Sequence, residues 1–431
     1  MYLILAILAF NIMVIVHELG HFIAAKMMGI GVLEFSLFVG PKLFSVTRGG
    51  TRYSVRLFPI MAYVRLEGDE EASDSPTSFN KKPKYARAFT MVAGPLANLL
   101  LAAVLLTGYF AIQGYQTTEI SQIAEGSPAA AAGLRKGDRI ISYGGKRIYA
   151  PIDVVQFLYV SKGEPVTVEY KRDGKLLKGE LRPIYHPETS SPMMGVVLDL
   201  TNPEGSNVLK EIYAGSPAEQ AGLMAGDKVV AINGTEVDSY EKMTELIKNN
   251  GINELEITVL RNGDHFVTTL TPIEVKTEEW YEVGLDFGFS RGDVLDALGQ
   301  SAIFTYSIIR SVYYSPKWLI TGKVNVSDMM GPIGMVSTIT TTVSQAPNVG
   351  QMFLYLMYIT GMLNVALGAT NLLPFPALDG GRLLLIGIEA VRGKPLNPEK
   401  ESVITMAGFI IIILFGIYIA VNEFQKYVIG S

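Results

Sequence analysis

The sequence predicts a multi-pass α-helical membrane protein of about four spans, with a membrane-associated β-hairpin and two α+β modules outside the bilayer. Three observations lead to this fold class. Long uncharged stretches recur along the 431-residue chain, one segment occurs twice, and a short region alternates polar and apolar residues around a Gly-Gly turn. Only 18% of the residues are charged, against about 25% in an average soluble domain. This composition argues against a disordered chain and against a nucleic-acid-binding protein.

Four stretches are long enough to cross a bilayer, which takes about 20 predominantly apolar residues. We predict spans at residues 1–28, 87–112, 350–380 and 402–422. Much of the third lies in a run of fifty residues without any Asp, Glu, Lys or Arg. Residues 293–345 are apolar at helical spacing but interrupted by charge, so we predict an interfacial amphipathic helix and a loop there rather than a fifth span.

Basic residues set the predicted orientation. Ten Lys or Arg residues occur from Lys26 to Arg87, counting both, and such short basic loops stay on the cytoplasmic side. We therefore expect residues 29–86, a β-hairpin and a loop, to be cytoplasmic. The long insert of about residues 113–294 then lies outside.

The insert contains an internal repeat. GSPAAAAGLRKGDRIISYGGKRI begins at Gly126, and GSPAEQAGLMAGDKVVAINGTEV begins at Gly215, 89 residues later. Each copy continues into a short helical stretch and two strands, with hairpin turns predicted at residues 173–174 and 262–263. We predict two tandem modules at residues 115–185 and 190–273. Their shared pattern resembles PDZ domains of bacterial proteases, which implies two extracytoplasmic PDZ-like α+β domains.

The first span contains the motif His17-Glu18-Leu19-Gly20-His21. In a helix of 3.6 residues per turn, His17 and His21 project from the same face, so both imidazoles can reach one zinc ion. Glu18 projects beside them and can act as a general base without binding the metal. Ionisable groups inside a span are costly and usually functional. The chain has no cysteine, which excludes every Cys-based metal site.

Catalytic zinc normally takes three protein ligands, and the sequence offers few candidates for the third. No histidine closely follows His21; His186 and His265 lie in the repeated insert, and Glu34 would have to leave a strand-like segment. The remaining intramembrane carboxylate is Asp379, in the motif NLLPFPALDGG. An acid that follows fifty uncharged residues needs a cation, so Asp379 is favoured and Glu34 stays the alternative.

Four features together resemble the site-2 protease family of intramembrane zinc metalloproteases, and among them the bacterial regulator-of-sigma-E protease type. They are HELGH in the first span, GPLAN in the second, the tandem modules, and NxxPxPxLDGG in the third span. The resemblance implies one Zn2+ per chain held by His17, His21 and Asp379, with Glu18 as the base. It also implies that Asn371 and Pro376 help to hold the substrate, although Asn371 could instead cap the broken helix.

The resemblance further implies regulated intramembrane proteolysis in stress responses, in the bacterial cytoplasmic (inner) membrane, with the active site near the cytoplasmic side. Expected partners are the lipid bilayer and single-span membrane proteins, such as an anti-sigma factor already cut by another protease or a signal-peptide remnant. No nucleic acid is expected. The alternatives are a membrane-anchored PDZ scaffold that binds protein termini without catalysis, and a metal or ion carrier. Asp379 counts against both, because neither needs a second, distant ligand motif.

The hairpin is predicted from alternating residues around RGGT at positions 48–51. A helix cannot be cut until its backbone is extended, so we expect a free edge of residues 44–57 to pair with the unwound substrate. Tyr53 and Val55 are the expected substrate-binding residues. Replacing Val55 by proline should then reduce cleavage, and replacing Ser54 by alanine should matter little. A hairpin that merely packs over the mouth of the site is the alternative.

Overall fold

The computed structural model describes residues 2–69, 74–198, 207–213, 215–277, 279–326, 329–394 and 398–424. The helices, in chain order, are α1 (Tyr2–Met27), α2 (Lys84–Gln113), α3 (Pro128–Ala131), α4 (Pro151–Ser161), α5 (Pro217–Gln220), α6 (Tyr240–Asn250), α7 (Val294–Ile320), α8 (Pro332–Ser344), α9 (Val349–Asn371), α10 (Asp379–Arg392) and α11 (Pro398–Phe424).

The strands, in chain order, are β1 (Val32–Arg48), β2 (Thr51–Leu66), β3 (Tyr115–Ile123), β4 (Arg139–Tyr143), β5 (Lys146–Arg147), β6 (Val166–Arg172), β7 (Lys175–Leu181), β8 (Ile184–His186), β9 (Thr189–Met193), β10 (Val196–Leu198), β11 (Leu209–Ile212), β12 (Lys228–Ile232), β13 (Thr235–Glu236), β14 (Leu255–Arg261), β15 (Asp264–Leu270), β16 (Ile273–Thr277), β17 (Trp280–Glu282) and β18 (Leu285–Ser290).

Four helices of the described chain are long and apolar enough to cross a membrane: α1, α2, α9 and, within α11, Val403–Phe424. Each overlaps one predicted span. The third differs, because α9 ends at Asn371 and Asp379 begins the separate helix α10. Pro374 and Pro376 lie between the two helices, and proline cannot continue helical hydrogen bonding.

The segment that follows Asp379 and the predicted loop before the third span are both helical. The stretch after Asp379 forms α10, and residues 332–344 form α8, which begins with proline in its first turn. The predicted amphipathic helix exists as α7 but continues to Ile320. Ile339 and Val343 of α8 are buried in one cluster with Ala6 and other residues of α1, so α8 packs on the helix that carries the HELGH motif.

The predicted hairpin turn is present, with Arg48 paired to Thr51. Gly49 and Gly50 have φ angles of 56° and 76°, the left-handed values that a two-residue type I′ turn requires. The same is seen at the other predicted turns, where Asp173-Gly174 and Asn262-Gly263 also have positive φ.

The sheet around this turn is larger than a hairpin. Residues 34–37 of β1 pair with residues 52–55 of β2 on one side and with residues 62–65 on the other. Val55 therefore lies inside the sheet, paired with Leu37 and also with Phe44. The predicted free edge of residues 44–57 is therefore present only in part: residues 44–48 are an outer segment, but the segment of Tyr53 and Val55 is paired on both sides. Among the described strands, the outer segments of this sheet are residues 42–48 and 58–66.

The two repeats in the insert share buried ion pairs at equivalent positions. Asp138 binds Arg172 in the first copy, and Asp227 binds Arg261 in the second, each at 2.7 Å. Asp138 and Asp227 are both 1% exposed. In both copies the arginine also donates to a turn carbonyl, 2.7 Å away. The two sequence repeats therefore form the same buried ion pair and the same hydrogen bond to a turn carbonyl.

The first repeat is completed by a strand that lies beyond its predicted boundary at residue 185. Its sheet has the order β18-β3-β4-β6-β7, with β5 paired to β4. Because β18 follows the second repeat in sequence, the chain divides into one unit of Met1–Arg182 with Val283–Ser431 and another of Pro183–Glu282. The second unit contains the sheet β13-β12-β14-β15. The assignment of both modules as PDZ domains stays a prediction.

Small residues bring the membrane helices close together. A Cβ at Gly20 of α1 would overlap the Ala93 backbone of α2, and a Cβ at Gly368 of α9 would lie 2.9 Å from the Pro95 carbonyl oxygen. Close backbone approach at small residues is a common way of packing helices in membranes. The contact at Gly20 sets the HELGH motif directly against residues 90–98 of α2.

Candidate active site

His17 and His21 lie one turn apart on the buried face of α1. They are 9% and 7% exposed, and their Nε2 atoms are 3.2 Å apart. The helical spacing therefore brings both imidazoles to one point, as the sequence predicts.

Asp379 reaches the same point from the beginning of α10. Its Oδ2 lies 3.2 Å from Nε2 of His17 and 3.3 Å from Nε2 of His21. These three side chains form the one group of His, Asp and Glu in the described part of the chain that could hold a metal ion. Asp379 follows the two histidines by more than 350 positions in the sequence.

The loop before Asp379 is shaped by its prolines and glycines. Ala377 has a φ of 75°, a left-handed conformation that an alanine rarely adopts. A Cβ at Gly380 would overlap the carbonyls of Leu372 and Leu373, and one at Gly381 would overlap Phe375. The pair of glycines is therefore needed for α10 to start directly against the loop, which places the Asp379 carboxylate at the histidines.

The distances among the three groups fit a zinc ion. Ligands 2.0–2.1 Å from a tetrahedral zinc lie about 3.3 Å from one another, and the observed separations are 3.2, 3.2 and 3.3 Å. Oδ2 of Asp379 is buried and has no hydrogen-bond partner of acceptable geometry among the described residues. A His2Asp set also leaves a fourth position open, as a catalytic zinc site requires.

Two residues of α2 meet the outer nitrogens of the histidines. The backbone carbonyl oxygen of Thr90 lies 2.8 Å from Nδ1 of His21. The side chain of Asn98, which is fully buried, lies 3.3 Å from Nδ1 of His17. Oδ1 of Asn98 has no partner within the described chain.

Glu18 is held beside the metal-binding group by the β-sheet. Its Oε2 accepts a 2.9 Å hydrogen bond from the backbone N–H of Val64, in the outer segment 58–66 of β2. The side chain is half-buried. This position agrees with a carboxylate that acts next to a metal without being one of its ligands.

Glu34, the alternative ligand, is occupied elsewhere. It is 4% exposed, accepts a 2.7 Å hydrogen bond from Ser54 and forms a 2.9 Å ion pair with Arg56. Burial alone would raise the pKa of Glu34, but the hydrogen bonds from Ser54 and Arg56 and the charge of Arg56 lower it. The same contact argues against the expectation that Ser54→Ala is harmless, because the alanine would remove a donor from a buried carboxylate.

The remaining predicted site residues lie in different surroundings. Asn371 is the last residue of α9, and its half-buried side chain makes no hydrogen bond to the described residues. Pro376 lies against Gly408 of α11, where a Cβ would overlap it. Tyr53 packs its ring 6.0 Å from that of Phe22 on α1. Substrate binding by these residues stays a prediction.

Sequence reasoning missed three groups that touch the site: the N–H of Val64, the carbonyl of Thr90 and the amide of Asn98. The first two are backbone atoms, which leave no signal in a sequence. Asn98 was visible as part of GPLAN, and a polar residue inside an apolar span was the signal that could have identified it.

Known proteins match nearly the whole length of this chain. Peptidase family M50 matches residues 5–415. Zinc metalloprotease RasP of Shouchella clausii is 30% identical over 97% of this chain and 97% of its own length. Regulator of sigma-W protease RasP of Bacillus subtilis is 27% identical, with 97% of each chain covered. Regulator of sigma E protease of Haemophilus influenzae is also 27% identical, over 97% of this chain and 98% of its own. Because the family match includes both the helix of the histidines and the helix of Asp379, this chain belongs to peptidase family M50, the site-2 type of zinc metalloprotease.

Proposed function

We propose that this enzyme hydrolyses peptide bonds within or next to the transmembrane segments of single-span membrane proteins. The observation that carries the proposal is the position of the metal-binding group inside a span. His17 lies ten residues before the end of α1, which is about 15 Å along a helix. This position supports a reaction at membrane depth.

In this proposal His17, His21 and Asp379 hold one zinc ion per chain. Zinc, when bound, supplies a Lewis acid that polarises the scissile carbonyl and makes water more acidic. Glu18 takes the proton from the attacking water and later passes it to the leaving amine. The hydrogen bond from Val64 keeps the Glu18 carboxylate beside the metal and leaves its other oxygen free for that transfer.

Asn98 and Thr90 fix the histidine tautomers. A histidine that binds metal through Nε2 carries its proton on Nδ1, and that proton needs an acceptor. Thr90 provides a carbonyl oxygen for His21. Asn98 does the same for His17 if its amide is turned so that the unpartnered Oδ1 faces the ring; the oxygen and nitrogen of an amide are interchangeable assignments.

Substrate is held by strand addition on the outer segment 58–66 of β2 rather than on the segment of Tyr53 and Val55. Val64 turns its N–H away from β1 and toward Glu18, so this edge faces the catalytic carboxylate. An unwound substrate paired along it would run past the zinc in the extended form that hydrolysis needs. Tyr53 and Val55 support this edge from within the sheet.

Cysteine crosslinking distinguishes the two outer segments of the sheet, because the chain has no cysteine of its own. Met61 and Val46 are equally exposed, at 52% and 51%, one in each outer segment. With a single-cysteine substrate and an inactive enzyme, Met61→Cys should form the disulfide and Val46→Cys should not. The reverse result would move the substrate to the other edge.

The names of the relatives support a substrate class. Two of them are named as regulators of sigma-W and sigma E. We infer that this chain likewise cuts a single-span anti-sigma factor or a signal-peptide remnant in the bacterial inner membrane, after another protease has removed the outer domain. The active site then lies toward the cytoplasm and the repeated modules outside.

The purified enzyme in lipid vesicles tests this function on a single-span reporter. Mass spectrometry of the products should place the cut inside or at the edge of the apolar segment. Chelation of the metal should stop cleavage, and added zinc should restore it. A cut only in the soluble flanks of the reporter would contradict intramembrane proteolysis.

A further inference from the structure

The helix that begins with Asp379 has an exposed apolar outer face. Leu384, Ile388 and Val391 of α10 are 48%, 37% and 90% exposed. They are spaced four and three residues apart, which places them on one stripe of the helix. With 14 residues, α10 is too short to cross a bilayer.

The inner face of α10 fixes its position against α2. Arg87 donates to both oxygens of Glu389 at 2.7 and 2.8 Å, and Lys84 donates to the carbonyl of Glu389. Ile386 is buried in one cluster with Met91. Arg87 is the last charged residue of α2 before its apolar run, so the C-terminal end of α10 lies where that span meets water.

The other end of α10 lies deeper. Asp379 meets His21, whose ring contacts α2 at Thr90 and Gly94. Along α2, the helix α10 therefore extends from the level of residues 90–94 to the level of residues 84–87. Its outer stripe therefore lies at the level where α2 passes from its charged first turn into its apolar run.

The charges on α10 and directly after it favour a leaflet that contains anionic lipids. Its two acids, Asp379 and Glu389, are turned inward to the histidines and to Arg87. Arg392 and Lys394, at the outer end, are exposed. An apolar stripe that ends in exposed basic residues is typical of helices that lie in the interface of an anionic membrane.

We propose that α10 is an interfacial helix that binds an anionic lipid leaflet, with Leu384, Ile388 and Val391 among the acyl chains and Arg392 and Lys394 at the headgroups. Because the same helix begins with Asp379, this contact holds the carboxylate end of the metal site in place relative to the bilayer. The lipid contact does not depend on the substrate class or on the side of the membrane.

Single cysteines carrying an environment-sensitive dye test the contact in the full-length protein, since no native cysteine interferes. The positions are Leu384, Ile388 and Val391, with Leu414 of α11 as the lipid-facing reference and Leu176 of β7 as the reference outside the membrane helices. Zinc content equal to wild type selects labelled proteins with an intact fold. The vesicles contain either phosphatidylcholine alone or phosphatidylcholine with phosphatidylglycerol.

We expect the three stripe labels to resemble Leu414, with blue-shifted emission that is quenched by spin-labelled lipid and protected from aqueous iodide. Phosphatidylglycerol should increase the shift at Val391, and Arg392→Gln with Lys394→Gln should abolish that increase. Labels that behave like Leu176 would overturn the proposal. Labels protected from both quenchers only at high protein-to-lipid ratio would also overturn it, because a second copy of the chain would then cover the stripe. Equal behaviour in the two vesicle types would overturn the preference for an anionic leaflet.

Discussion

At the residue scale, each side chain of the proposed metal site contacts a neighbour that is not one of the proposed ligands. Asp379 is positioned by a loop in which Gly380 and Gly381 pack against backbone carbonyls. His21 faces the Thr90 carbonyl, His17 faces Asn98, and Glu18 is held by Val64. Such outer contacts orient ligands and raise metal affinity.

A series of zinc affinities tests these roles. Asp379→Asn should weaken zinc binding most, because it removes an anionic ligand oxygen. Asn98→Leu should weaken it by roughly 10–100-fold, as is typical when the partner of a metal-binding histidine is lost. Asn98→Asp keeps an acceptor for His17 and should retain most of the affinity. Chelator competition on the detergent-purified chain measures all three.

Equal affinities of wild type and Asp379→Asn would show that the ligand assignment is wrong, and Glu34 would then be the next candidate. Asn98→Leu and Asn98→Asp with the same affinity would show that the amide does not serve His17. The Co2+-substituted proteins provide a check, because a changed tautomer or ligand alters the visible spectrum even where the total metal content does not change.

The backbone donor of Val64 gives a second prediction at this scale. Val64→Pro removes the N–H that orients Glu18, and proline is tolerated on an outer strand. Loss of a hydrogen bond to a charged group costs about 1.5–3 kcal/mol, so kcat should fall by roughly 10–100-fold while zinc stays bound. Val64→Ala keeps the N–H and should cleave almost normally. Similar rates for the proline and alanine variants would refute a role for this donor.

At the element scale, sequence reasoning succeeds where a signal is local. The HELGH spacing, the Gly-Gly, Asp-Gly and Asn-Gly turns and the four apolar helices all depend on neighbouring residues, and the structure contains each of them. The free edge expected at Val55 was wrong because strand pairing is long-range. Residues 34–37 insert beside residues 52–55, and no local alternation reports such a partner. The helix α10 was missed because its start follows a proline-rich loop.

The repeated ion pair supports a prediction for the second module. Burial alone would raise the pKa of Asp227, but the hydrogen bonds and charge of Arg261 and the N–H of Met224 lower it. The pair therefore stabilises the module above the unfolded pKa of Asp, about 4, and this stabilisation is lost as the pH falls through the lower folded value. Asp227→Asn should destabilise the module at neutral pH by roughly 3 kcal/mol.

Hydrogen exchange of β14 in the full-length protein measures this loss, with Asp264→Asn at the exposed start of β15 as the control. Pepsin digestion at decreasing pH measures the titration, and Asp227→Asn should become less acid-sensitive than wild type. Unchanged protection of β14 in Asp227→Asn would mean that the pair contributes nothing to the module.

At the scale of the whole molecule, the structural modules of the insert do not have the same boundaries as its two sequence repeats. The first module needs β18, which follows the second module in the chain. Deleting only residues 117–273 would therefore leave β18 without its partner. A replacement of residues 115–290 by a flexible linker between α2 and α7 removes the first module and the second together.

We expect the insert to act as a gate that admits substrates only after their outer domains are removed. The variant without residues 115–290 should bind zinc, cut the single-span reporter and also cut a reporter that still carries a bulky outer domain. Deletion of residues 183–282 alone is the matched control, because it keeps β18 with β3. If a zinc-loaded variant without the insert cuts the single-span reporter but not the reporter with the bulky outer domain, the insert does not act as a gate.

The central claim is that zinc bound at His17, His21 and Asp379 acts with Glu18 as the base in peptide hydrolysis. Zinc content and cleavage rate of Glu18→Gln, measured on the same vesicle sample, test it most directly. The amide cannot accept a proton, so we expect one zinc per chain and a cleavage rate lower by roughly 100-fold or more. A zinc-loaded Glu18→Gln enzyme that cuts the reporter at a rate near that of wild type would contradict it.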